Sequence, residues 1–159
     1  MIRKLLLILG SICFIVVIGG ATYEHLGIVP VWTSAAPASL AMFQGEYAIM
    51  PQRFWIPIHP VTMLLLVFAL IANWRTAARK FILTAIAGYV IILVTTFVFF
   101  VPELLSITQS TFGPTIDTEL TRRAKMWETL SLARLGILFV LAVVLLLGMS
   151  KADGETNQR

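Results

Sequence analysis

The chain has 159 residues, 58% of them hydrophobic and only 13% charged, with a formal net charge of +4. A soluble globule of this size leaves too many residues at its surface to hide that apolar content, so a water-soluble domain is excluded and lipid must be the solvent. The surplus of Lys and Arg is scattered around apolar runs, which suits the orientation rule of membrane proteins; no nucleic-acid partner is expected.

A hydrocarbon core of about 30 Å takes about twenty apolar residues per helix, and four segments qualify. The first covers about residues 5–25, LLLILGSICFIVVIGGATYEH. It follows MIRK in the manner of a signal peptide, but it is as long as a full span and has no good small-x-small cleavage site close behind it. It is therefore expected to stay as a helix. Cys13, the single cysteine, excludes an internal disulfide and reads as a small buried residue.

Residues 30–60 form a long connection with prolines at 30, 37, 51, 57 and 60 and with Trp32, Phe43, Tyr47, Phe54 and Trp55. Such aromatics belong at headgroup level, and APASLAMFQGEY can form a short helix, with Ser34 and Pro37 as start signals. The second span is expected over about 59–74, starting near Pro60, with Asn73 and Trp74 as interfacial anchors. RTAARK, residues 75–80, leaves room only for a tight hairpin. The third span reads as 81–101 and the fourth as 126–149, its apolar part starting at Leu135 and its helix drawn back to gain length. Residues 1–150 thus make one four-helix transmembrane domain, and 151–159 a disordered tail.

Arg3, Lys4, Arg75, Arg79, Lys80, Lys151 and Arg159 all fall on one side of a four-span chain. That side is expected to be cytoplasmic, with both termini there. Arg122, Arg123 and Lys125 on the other side run against this reading, with Asp117 and Glu119 close by to offset them. The fold expected is an all-α four-transmembrane-helix bundle with a partly helical outer loop.

Ordering the ionisable residues by depth brings most of them to the outer half: Glu24 and His25 ending the first span, His59 opening the second, Glu103 ending the third, and Glu128 and Arg134 in the fourth. Arg134 lies seven residues beyond Trp127, roughly 10 Å along the helix. A charge at that depth should face the interior and pair with an acid; Glu24, Glu103 and Glu128 are the candidates. Trp127, Ser131 and Arg134 share one helix face. The bland alternative is an arginine that snorkels to the headgroups.

His25 and His59 have the chemistry to carry protons, to ligate a metal or to bracket a haem. No regular ligand spacing accompanies them, and the cofactor stays unknown, with a metal or haem through His25 and His59 as the lesser reading. A histidine that only caps a helix end at the interface fits them equally well. No phosphate loop, nucleophile elbow or GxxxG motif is present.

WETLSLAR, residues 127–134, with FFVP, residues 99–102, resembles the four-span membrane family that includes the fungal anthrone oxygenases and many uncharacterised bacterial proteins. The resemblance implies a compact four-helix bundle and, for some members, oxygenation of polycyclic phenols without an evident cofactor. Trp127 and Arg134 are the matched positions; Ser131 stands where the family more often has Asn or His.

Two functions compete. The first is binding of a lipophilic, aromatic or quinone-like molecule, with oxygenase-like chemistry, in which His25, His59 and Arg134 act and Glu24, Trp55, Glu103, Trp127 and Glu128 line the site. The second is a non-enzymatic accessory subunit of a membrane complex, or a homo-oligomer. A transporter is disfavoured, because nothing repeats between the halves and no broken helix marks a midplane site. The expected partners are the lipid bilayer and a lipophilic small molecule, and the expected location is a bacterial inner (plasma) membrane.

Overall fold

The computed structural model describes residues 2–154, which among themselves are helical with no strand. The helices are α1 (Ile2–Gly27), a one-turn α2 (Val29–Trp32), α3 (Gln52–Ala72), α4 (Ala78–Thr95), α5 (Val101–Thr108) and α6 (Thr118–Gly154). A 3₁₀ segment, Ala38–Phe43, sits in the long connection, and a π-helical turn, Thr96–Phe100, joins α4 to α5. Four stretches are long and apolar enough to cross a membrane: Ile2–Trp32, Gln52–Ala72, Ala78–Thr108 and Thr118–Lys151. Large apolar side chains on them, such as Leu64 at 56% exposure and Ile91 at 65%, face outward, as lipid contact requires. The chain is an integral membrane protein.

Three boundaries differ from the sequence reading, each for a physical reason. α3 starts at Gln52 and runs through Pro57 and Pro60, which the sequence reading places in the long connection. Proline removes one N–H from the ladder, a loss that membrane helices accommodate. α6 starts at Thr118 because Asp117 caps it: Oδ1 accepts from the N–H groups of Glu119 at 2.9 Å and Leu120 at 3.0 Å. Its far end continues to Gly154, into the segment expected to be disordered; residues 155–159 lie outside the described residues.

The fold divides into two compact units. The first holds Met1–Gly19, Arg53–Ile91 and α6 from Gly136 onward. Leu7, Phe14, Leu66, Ile82, Tyr89 and Leu145 make its core. Small residues let the helices close up. A methyl group on Gly148 would stand 2.7 Å from Phe81 Cβ, and one on Gly88 2.6 Å from Leu141 Cδ2. Asn73, expected at the interface, is instead buried, where its Nδ2 donates to the carbonyls of Ala69 at 2.8 Å and Arg3 at 3.3 Å. The end of α3 exposes carbonyls that need donors, and the amide supplies one. Trp74 remains half-exposed, with the Arg79 guanidinium 5.3 Å from its ring.

The second unit holds Gly20–Gln52 and Ile92–Leu135. Here the long connection folds on a core of its own: Val29, Trp32, Ala36 and Leu40 pack with Phe100, Ile107, Ala124 and Trp127. The Ala36 carbonyl accepts from the Asp117 N–H at 2.9 Å and from Thr121 Oγ1 at 3.2 Å, which ties the loop to the start of α6.

Candidate functional site

The π-turn is the local origin of the site. Pro102 has no N–H to give to the carbonyl four residues back, and its ring crowds that carbonyl. Widening the turn relieves the clash: Val101 N–H reaches the Thr96 carbonyl, five residues back. The turn presents three groups to α6. Thr96 Oγ1, which gives its own proton to the Ile92 carbonyl at 2.7 Å, accepts from Arg134 Nη1 at 2.9 Å. The Phe100 ring lies 4.1 Å from the Arg134 guanidinium carbon. The Phe100 carbonyl accepts from Trp127 Nε1 at 2.9 Å.

Arg134 is part-buried, as its depth in the helix anticipates. Its Nη2 donates to Ser131 Oγ at 2.8 Å, and the same oxygen stands 3.1 Å from His25 Nε2. A guanidinium only donates, so the serine oxygen accepts from Arg134, while the direction of its bond with the imidazole follows the histidine tautomer. One hydroxyl thereby joins a permanent cation to a titratable base. Glu24 belongs to the same unit.

The other two acids considered as partners of Arg134 are engaged elsewhere. Glu103 forms a two-pronged ion pair with Arg123, 2.8 Å on each side. Glu128 Oε2 takes Lys125 Nζ at 2.9 Å and the Thr33 hydroxyl at 2.7 Å, so it fastens the loop. Trp127 is buried in the loop core beside Trp32, ring centroids 5.3 Å apart.

His59 and Trp55 belong to the first unit. His59 Nδ1 lies 2.7 Å from the Tyr89 hydroxyl, and Trp55 stacks on the imidazole at 5.4 Å and 20°. Thr62, fully buried one turn further along α3, faces the same phenol.

The structure therefore joins His25, Arg134 and Glu24 within one unit and places His59 and Trp55 in the other. Sequence reasoning passed over Thr96, Phe100, Thr33 and Tyr89 because neutral hydroxyls and aromatics in apolar runs carry no depth signal. Only Pro102 in the third span hinted that the helix changes there. Among the described residues no three His, Cys, Asp or Glu side chains gather as a metal site. No protein-family model matches this chain, and no curated protein or solved structure is detectably similar to it.

Proposed function

We propose that this protein binds a lipophilic molecule with an oxygen-bearing ring, phenolic or quinone-like, in its second unit. The observation that carries the reading is the shared Ser131 hydroxyl, which accepts from Arg134 and meets His25. Arginine in a membrane helix is costly to keep, and here it is aimed, over the Phe100 ring and held by two hydroxyls. A phenolic oxygen beside it would be stabilised as the anion, and its proton would pass through Ser131 to His25. Oxygenase-like chemistry on such a phenolate follows from the resemblance at Trp127 and Arg134. The proposed location is a bacterial inner membrane with both termini cytoplasmic.

The reading is tested by equilibrium binding of a short-chain benzoquinone and its hydroquinone to the purified protein. Arg134→Ala and His25→Ala should each weaken binding at least tenfold while the helical circular-dichroism signal stays unchanged. Undiminished binding in Arg134→Ala would sink it.

A second reading is an accessory subunit of a membrane complex, favoured by the pairs Arg123–Glu103 and Lys125–Glu128 and the bond from Thr33 to Glu128, all spent on fastening the unit itself. A co-purifying membrane protein that is lost on deletion of residues 36–50 supports it.

A further inference from the structure

Six cations gather at one end of the first unit: Arg3 and Lys4 at the start of α1, Arg75, Arg79 and Lys80 around the turn between α3 and α4, and Lys151 near the end of α6. Contacts between the helices bring these ends together. Asn73 Nδ2, just past the end of α3, donates to the Arg3 carbonyl, and Ser11 Oγ of α1 donates to Met149 Sδ of α6 at 3.5 Å. The backbone of Gly148 in α6 lies against Phe81 in the first turn of α4. The other Lys, Arg, Asp and Glu residues of this unit are Arg53, at the opposite end of α3, and Asp153, Glu155 and Arg159, beyond Lys151.

The same end is apolar toward the lipid. The membrane-crossing stretches begin or end there at Ile2, Ala72, Ala78 and Lys151. Lys80 lies three residues before Leu83, and Lys151 four residues after Leu147, spacings that share a helix face; both cations and both leucines are exposed. Exposed Ile71 and Trp74 lead into Arg75, and the Arg79 guanidinium stands 5.3 Å from the Trp74 ring. A ligand that satisfies both features is anionic at its head and apolar behind it.

We propose that this end of the first unit binds glycerophospholipids of net negative charge, such as phosphatidylglycerol, in preference to zwitterionic ones. The phosphates are taken by Arg75, Arg79 and Lys80, with Arg3 beside them through the Asn73 bond, and the acyl chains lie along the exposed apolar residues. Trp74 sits at headgroup level and its ring carries the Arg79 cation. Each basic residue near an anionic membrane surface raises association roughly fivefold before screening, so several acting together give a selective surface.

Quenching of tryptophan fluorescence by lipids with brominated acyl chains tests this on the whole protein in phosphatidylcholine vesicles. The contribution of Trp74 is the difference between the wild type and Trp74→Phe. Brominated phosphatidylglycerol should quench that contribution at about threefold lower bilayer content than brominated phosphatidylcholine. Arg75→Gln combined with Lys80→Gln should bring the two lipids level; both side chains are exposed, so the packing is left intact. Arg3→Gln, on a different helix, should lower the preference by itself. Arg53→Gln, at the opposite end of α3, should leave it unchanged. Equal quenching in the wild type, an unaltered preference in the double variant, or a comparable loss in Arg53→Gln would each overturn the proposal. So would loss of the preference on adding inorganic diphosphate at constant ionic strength, which would mark a site for a free anion. The readout belongs to the first unit, so none of these outcomes bears on Arg134 or on quinone binding.

Discussion

Trp127 gives its indole N–H to the carbonyl of Phe100, and through that bond a side chain of α6 holds the junction of the π-turn with α5. Trp127→Phe keeps the ring and removes the donor. We expect a loss of about 1 kcal/mol, the net worth of one such bond. Trp127→Ala also empties a slot in the loop core and should cost about 3–5 kcal/mol. Reversible unfolding in mixed detergent micelles compares the two; an unchanged stability in Trp127→Phe would mean that the bond contributes nothing.

Ser131→Ala removes the oxygen that Arg134 and His25 share. A part-buried guanidinium then loses an acceptor, at a cost of roughly 1–3 kcal/mol. Ser131→Thr retains the hydroxyl and should restore most of the stability together with quinone binding. Rescue of stability without rescue of binding would separate the structural role of the hydroxyl from the proposed functional one.

The two close-packed glycines should respond differently to alanine. At Gly148 the new methyl meets Phe81 Cβ, which is fixed to the backbone, so the helices must part, at about 1–3 kcal/mol. At Gly88 it meets the tip of Leu141, which can rotate away. Gly88→Ala should therefore cost less, and adding Leu141→Ala should not make Gly148→Ala milder. Thermal scans of these three variants and of Leu141→Ala alone decide this.

Two ion pairs flank the start of α6, and only one should matter. Arg123 and Glu103 connect α6 to α5 with both prongs made and side-chain exposures of 34% and 19%. A double-mutant cycle should return up to about 1 kcal/mol, shrinking in high salt. Arg122 and Glu119, one turn apart and largely exposed, should show no measurable coupling.

The proposed orientation has a direct check. In a Cys13→Ser background, a cysteine at Ser150 should react with a membrane-impermeant maleimide only after the cells are opened, and one at Gly45 in intact cells. The reverse pattern would invert the topology.

Four spans were legible in the sequence because hydropathy over twenty residues is a strong signal. The depth ordering also found His25, Glu24 and Arg134, which one unit does contain. It could not choose among three acids as the partner of Arg134. Arg123 and Lys125, read only as charges against the orientation rule, are the residues that engage Glu103 and Glu128. The early starts of α3 and α6 escaped for opposite reasons. Pro57 and Pro60 were assigned to the connection although lipid tolerates them within a helix, and Asp117 was weighed as a charge when it acts as a cap.

The π-turn also resets the angular phase of the third span. One extra residue in a turn rotates everything after it by about 100° relative to an unbroken helix. Within the second unit this sets the face on which the residues after the turn lie, and Ile107 is fully buried in the loop core. Deleting a single residue in the π-turn would leave the composition of the span intact and turn Glu103 away from Arg123.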